Sequence, residues 1–367
     1  MVMASNLRNI EQPGLKWEEE LFSCEPIWTT EPAIEIIKAL AVRHLKLENE
    51  VPDVSFFAEV PTVFAHDDDL HSELGFEWIL MERVEAQSLH EVWQEMSWLK
   101  KGLLVMQVAD FMAQLFRIEL FSIGSLRLSD PEQRGKESLN DAHNFVVGET
   151  VLPPFFKNDN IKLDISRGPF TSTQDYIHAR IQLAQHFASR LDLTDEDDLE
   201  HYEDIQTVLS GIRTIAPHLM PASHEQTILS NREISSSNIL VSPDGSLVSI
   251  VDWECVAFAP LFQAKQIPQL LKGQVLNDVP DHESSPDALY LERIEAYQKT
   301  RLREFFFEEM QRVEPRWLEV YESQQKQRDI LIAIDFCEND LLVKRAKGWV
   351  GAVLEGREPK LSLGAMR

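Results

Sequence analysis

The chain has 367 residues, of which 61 are acidic and 35 basic, giving a formal net charge of -26, and 44% of its residues are hydrophobic. That length exceeds what one ordinary core needs and suits two lobes. A mean hydropathy of -0.23 fits a soluble globular chain. An acidic surface of this strength repels nucleic acid and anionic membranes and tolerates cationic small molecules, so neither nucleic acid nor membrane is an expected partner. The three cysteines, Cys24, Cys255 and Cys337, lie far apart and show no metal-ligand spacing or disulfide framework, which predicts a reducing compartment.

Met1 to Pro13 lacks the apolar core of a secretory signal and is not Arg-rich. A cytoplasmic location is therefore expected, with a mitochondrial one as the alternative. Met1 to Thr30 reads as a polar, Trp-containing arm. Thr30-Glu31-Pro32 then supplies a cap and a helix-start proline. Ile34, Ile37, Leu40, Ala41 and Leu45 recur at helical spacing, predicting an amphipathic helix over residues 31–47. Val54 to Ala58 is a strand candidate. Val60-Pro61-Thr62-Val63-Phe64 can pair only at an edge because of its proline. His66 to Glu73 reads as a solvated charged loop, and Phe76 to Glu82 as a strand.

Ser88 is placed to cap a helix from Leu89 to Glu95. A long helix is predicted from Trp98 to Leu120, with Leu104, Val108, Phe111, Leu115 and Ile118 on one stripe. The apolar stretch from Gly102 to Phe121 is interrupted by Gln107, Asp110, Gln114, Arg117 and Glu119, so it reads as a buried helix and not as a membrane span. Residues 121–170 are rich in Gly and Pro and predict loops. Thr173–Leu191 reads as helix, Asp195–Asp204 as a solvated loop or helix face, and Leu289–Val313 and Pro315–Trp349 as long helices.

The chemistry concentrates between Ser230 and Glu254. A polar loop, Ser230-Asn231-Arg232-Glu233-Ile234-Ser235-Ser236-Ser237-Asn238, runs into the apolar Ile239-Leu240-Val241. Ser242-Pro243-Asp244-Gly245 suits a type I turn, and Leu247 to Val251 returns to Asp252-Trp253-Glu254. With a Pro243–Ser246 loop, Ser242 faces Leu247 and Asn238 faces Val251, so Asn238 and Asp252 emerge at one end of a hairpin. An amide oxygen beside a carboxylate is a hard-oxygen pair of the kind Mg²⁺ takes. Glu233 leads to the same end and can accept a proton from a hydroxyl nucleophile.

This segment resembles the aminoglycoside phosphotransferase and choline kinase family, particularly its fungal branch. The family's loop reads His-Gly-Asp-Leu-His-Pro-Gly-Asn-Ile-Leu, followed by Ile-Asp-Trp-Glu. By that resemblance Asn238 and Asp252 match the metal-binding residues and Glu233 the catalytic aspartate. Asn231 and Ser235 stand where the family has histidines, and Arg232 replaces a glycine. Trp78-Ile79-Leu80-Met81-Glu82-Arg83-Val84 resembles the hinge strand, which implies adenine binding at Met81, Glu82 and Val84. Ser88 to Trp93 and Pro260 to Ala264 resemble the segments that follow the hinge and the aspartate.

The resemblance implies an α+β, protein-kinase-like two-lobe fold with an incomplete small β lobe and a mainly helical large lobe. It divides the chain into an N-terminal arm and helix (1–53), a truncated small lobe and hinge (54–84), a helical lobe (85–350) carrying the hairpin at 230–254, and a tail (351–367). Phe56-Phe57-Ala58-Glu59 resembles the start of the Gly-loop region, and the tens of residues that the family places between Glu59 and Val60 are missing. So are a Gly-rich phosphate loop and a strand lysine. The implied activity is ATP- and Mg²⁺-dependent phosphate transfer to a hydroxyl of a small substrate, in impaired form, and the acidic surface would tolerate a cationic one. The alternative is a non-catalytic, pseudokinase-like binding protein or truncated product. Substrate and oligomeric state are not legible.

Overall fold

The computed structural model describes residues 15–19, 24–28, 36, 60–67, 69, 72–75, 77–128, 145–220, 225–264, 267–281, 287–359 and 362–366. The predicted strand Val54–Ala58 and the Gly-loop-like Phe56–Glu59 lie outside these residues. So does the predicted helix 31–47 apart from Ile36, which is helical.

In chain order, β1 (Leu15–Glu19) and β2 (Cys24–Trp28) form an antiparallel pair. β3 (Val63–Asp67) and β4 (Trp78–Met81) form another. β5 (Gln87–Ser88) leads into the single turn α1 (Leu89–Val92) and then α2 (Trp98–Phe116). The short strands β6 (Glu119–Leu120), β7 (Leu126–Leu128) and β8 (Phe145–Val147) precede α3 (Thr173–Ala188) and α4 (Glu196–Leu219). β9 (Thr227–Ser230), β10 (Ile239–Val241), β11 (Leu247–Ile250) and β12 (Ala257–Pro260) follow, with the short α5 (Leu261–Ala264). The chain closes through α6 (Asp287–Val313), α7 (Pro315–Ser323), α8 (Gln325–Asp335) and α9 (Asp340–Leu354). The mixture of helix and strand agrees with the expected α+β class. Among the described residues no helix is long and apolar enough to cross a membrane.

The chain divides into two compact units. One comprises residues 1–96 and 236–251, the other residues 97–235 and 252–367. In the first, β10 is the middle strand of the sheet β11-β10-β5. Ile239, Val241 and Ile250 are buried, as is Leu89 of α1, which packs on β10. Ser88 precedes α1, but its hydroxyl donates to the carbonyls of Ser236 and Ser237, 3.3 Å each, and makes no capping bond. The predicted Ser88 cap is thus replaced by a tie to the loop before β10, and α1 stops after one turn. Two further expectations are corrected in this unit. Leu15–Glu19 and Cys24–Trp28 are strands within the stretch read as an arm, and His66 and Asp67 belong to β3, not to a loop.

In the second unit the core gathers Tyr176, Ile205, Leu209, Ile212, Ile334, Val343 and Trp349 between α3, α4, α8 and α9. Gly211 allows α4 and α9 to touch, since a Cβ there would lie 2.1 Å from Val350 Cγ1. The acidic run predicted as solvated is split by this packing. Asp195 caps α4 by accepting from the N–H groups of Asp197 and Asp198, where acidic groups suit the positive end of the helix. Asp204, nine residues on, is buried and paired with Lys347 of α9.

The predicted helix from Trp98 to Leu120 ends at Phe116. The Ile118 carbonyl accepts the Leu229 N–H at 3.1 Å, and Glu119 and Leu120 pair with Ile228 and Thr227. Helical periodicity continues past this point in the sequence, but β9 has an open edge, and its backbone groups take β6 as a partner.

Candidate active site

β9 is the middle strand of the sheet β12-β9-β6, with Ser230 opposite Ala257 and Thr227 opposite Pro260. The loop that follows Ser230 and the segment that precedes Ala257 therefore leave the sheet at the same end. The first carries Asn231, Arg232 and Glu233, and the second carries Asp252, Trp253 and Glu254. The loop is legible in the sequence but this pairing is not, because Ala257-Phe258-Ala259-Pro260 has no β-branched residue to mark a strand.

The Asn231 amide joins the two segments. Its Oδ1 accepts the Glu233 backbone N–H at 2.8 Å, and its Nδ2 donates to the Asp252 carbonyl at 3.4 Å. The first bond closes an Asx turn around Arg232. The second is long and correspondingly weak. Ile234 is buried, and its carbonyl accepts the Gln269 N–H at 2.9 Å, so the turn is pinned from below. Trp253 packs edge-on against Phe111 of α2, with centroids 5.9 Å apart and an interplanar angle of 76°. Its neighbours Asp252 and Glu254 remain exposed.

Asp252 has a φ of 66°, in the left-handed region that L-residues other than Asn and Asp rarely occupy. Glu233 is exposed, and its Oε2 accepts a hydrogen bond from Gln269 Nε2 at 3.2 Å. Gln269 follows Glu233 by 36 residues, and no local pattern in the sequence announces the pairing. Burial pushes the Cys255 thiol above its ordinary range, assisted by the charges of Glu254, Asp252 and Glu233 and opposed by Arg232. The thiol is thus held protonated and weakly nucleophilic.

In the other unit Asn238 is half-buried, and its carbonyl accepts the Val251 N–H at 2.9 Å. The predicted placement of Asn238 opposite Val251 is therefore observed, but the turn reaches it differently. The Ser242 N–H donates to the Ser246 carbonyl, and Gly245, with φ 91°, completes a three-residue loop, Pro243–Gly245. Ser242 faces Ser246, not Leu247 as predicted. Val241 pairs with Leu247 and Leu240 with Ser249, so Val248 is a bulge residue that restores the register before Ile239 meets Ile250.

Of the expected hinge residues, Met81 pairs with Val63. The Glu82 N–H donates to the Thr62 carbonyl at 2.8 Å, and its carboxylate accepts from the Thr62 N–H at 3.3 Å. The Val84 carbonyl accepts from the Ala86 N–H, while the Val84 N–H makes no hydrogen bond among the described residues.

The similarity is to proteins of two fungi. Over 274 residues the chain is 26% identical to a subtelomeric hrmA-associated cluster protein of Aspergillus fumigatus, a match covering 61% of this chain and 53% of that protein. Over 231 residues it is 26% identical to altered inheritance of mitochondria protein 9, mitochondrial, of Meyerozyma guilliermondii, covering 54% of this chain and 37% of that protein. The chain spans about half the length, or less, of these curated relatives. Among solved structures, it aligns with a thermostable mutant of aminoglycoside phosphotransferase APH(4)-Ia in apo form. That alignment has a TM-score of 0.37 and 12% identity over 93% of this chain and 94% of that one. No family model matches the chain.

Proposed function

We propose that residues 230–254 form the catalytic half of a kinase-like small-molecule phosphotransferase, working in this chain at reduced efficiency. The observation that carries this reading is the Asn231 amide. It ties the loop bearing a candidate base, Glu233, to the backbone of Asp252, and so fixes two acidic residues 19 positions apart in one local frame.

In this reading Glu233 accepts the proton of a substrate hydroxyl, and Gln269 holds its carboxylate in place. By the sequence resemblance, Asn238 and Asp252 would each supply an oxygen to Mg²⁺. An amide oxygen and a carboxylate suit a cation that prefers oxygen and completes its shell with water and phosphate. Bound Mg²⁺ supplies charge neutralisation on the phosphates. The Val84 N–H, with no hydrogen bond among the described residues, is the hinge donor for adenine, with Met81 and Glu82 beside it.

One observation favours the second, non-catalytic reading. No lysine occurs between Lys46 and Lys100, so the stretch between β3 and β4 offers none to the phosphates. Losing that charge removes stabilisation where phosphoryl transfer depends on it. A transfer assay separates the two. With labelled ATP, Mg²⁺ and a panel of small alcohols, the first reading expects slow transfer that falls by about 10²-fold or more in Glu233→Gln, in line with the contribution of a general base. Transfer that Glu233→Gln leaves unchanged rejects Glu233 as the base, and no transfer to any alcohol supports the second reading.

A further inference from the structure

Arg232 is the central residue of the turn closed by Asn231, and it is half-buried. It is the one basic residue between Ser230 and Ala264, in a segment that also holds Glu233, Asp244, Asp252 and Glu254. Its guanidinium makes no hydrogen bond or ion pair among the described residues. It lines a shallow, solvent-open depression together with Asn231, Gln269, Met112, Ile234 and Pro268, of which Met112, Ile234 and Pro268 are buried.

A planar fork of unused donors is the recognition element for a carboxylate or phosphate oxygen pair. The surrounding acidic groups discriminate by charge. Glu233 adjoins Arg232 in the same Asx turn, so a dianion meets more repulsion there than a monoanion does. We propose that this depression is the acceptor-substrate site, and that its ligand is a small hydroxy acid whose single carboxylate pairs with Arg232. The carboxylate is argued from Arg232 alone. The hydroxyl rests on the phosphotransferase reading, in which Glu233, the next residue, takes its proton. Arg232 then sets substrate class, selecting an anionic alcohol where net charge alone would favour a cation.

The test is backbone amide and Arg Nε–H NMR of the full chain, without Mg²⁺ or nucleotide. Lactate, glycerate and 3-hydroxybutyrate are each titrated to millimolar concentration, with butane-1,3-diol as the uncharged match of the last. At least one acid should shift the Arg232 Nε–H and the Glu233 and Gln269 amides, and the diol should not. Arg232→Met should abolish the shifts, and Arg232→Lys, which keeps the charge but not the fork, should weaken them several-fold. Arg232 makes no internal bond among the described residues, so both variants should unfold at the wild-type midpoint. No shift with any of the acids, equal shifts with the diol, or shifts retained in Arg232→Met would overturn the assignment. Since no nucleotide enters the titration itself, a failure here leaves the phosphotransferase reading standing. A failure of Mg-ATP binding likewise leaves this titration readable.

Discussion

Asp252 combines a polar role with a backbone that most residues avoid. Its left-handed φ of 66° is a cost that Gly would not carry and that a β-carbon without a polar side chain would carry in full. Replacing it should therefore separate stability from binding. Asp252→Ala is expected to be less stable than Asp252→Gly by about 1 kcal/mol in urea unfolding, while both lose any Mg²⁺-dependent nucleotide binding. An alanine variant as stable as the glycine variant would mean that the left-handed backbone carries no strain. At this scale the placement of Asn238 opposite Val251 is legible in the sequence, because the spacing fits a loop followed by a hairpin. The partner of Glu233 is not. Gln269 is brought to it by Pro268 and the buried Leu270 and Leu271, a tertiary placement with no local signature.

The elements divide by how local their causes are. The long helices are readable because their apolar residues repeat at helical spacing, and α3 and α6 fall on the predicted segments, whereas the single helix predicted over Pro315–Trp349 is three, α7 to α9, the last running on to Leu354. The hairpin is readable from its Pro-Asp-Gly turn, although the bulge at Val248 is not, since only the pairing reveals it. β6, β9 and β12 escape sequence reading. Each is four residues or fewer and exists because its neighbours complete its hydrogen bonds. The same holds for Gly211, an inconspicuous glycine within a helix of 24 residues. Its lack of a side chain lets α4 meet α9, and a methyl group would collide with Val350. Gly211→Ala gains about 1 kcal/mol in helix propensity, but overpacking costs ~1–3 kcal/mol. The variant should therefore unfold at equal or lower denaturant, and Gly211→Ala with Val350→Ala should recover the propensity gain relative to Val350→Ala alone. A clearly stabilised Gly211→Ala single variant would show that the helices part freely.

For the molecule as a whole, charge sets the response to pH. Burial pushes the Glu225 carboxyl up to about 7 from its ordinary 4.5, against the opposing hydrogen bond from the Thr173 N–H. The folded state therefore holds a proton that the unfolded state has released. Stability from this group is fully present below about 4.5 and is lost as pH rises through about 7. The formal charge of -26 at pH 7 acts in the same direction through self-repulsion. Chemical unfolding across that window should show stability falling as pH rises, with a shallower slope in Glu225→Gln. A slope unchanged by the substitution would mean that Glu225 titrates alike in both states.

Whether residues 230–254 retain a nucleotide-handling site is tested most directly by thermal unfolding with and without Mg-ATP. A ligand at ten times its Kd stabilises the folded state by about 1.4 kcal/mol. Mg-ATP at millimolar concentration is predicted to raise Tm in the wild-type chain. ATP with EDTA should not do so, nor should Mg-ATP acting on Asp252→Asn. No rise in the wild type, or an equal rise in Asp252→Asn, would contradict a nucleotide site built on Asp252.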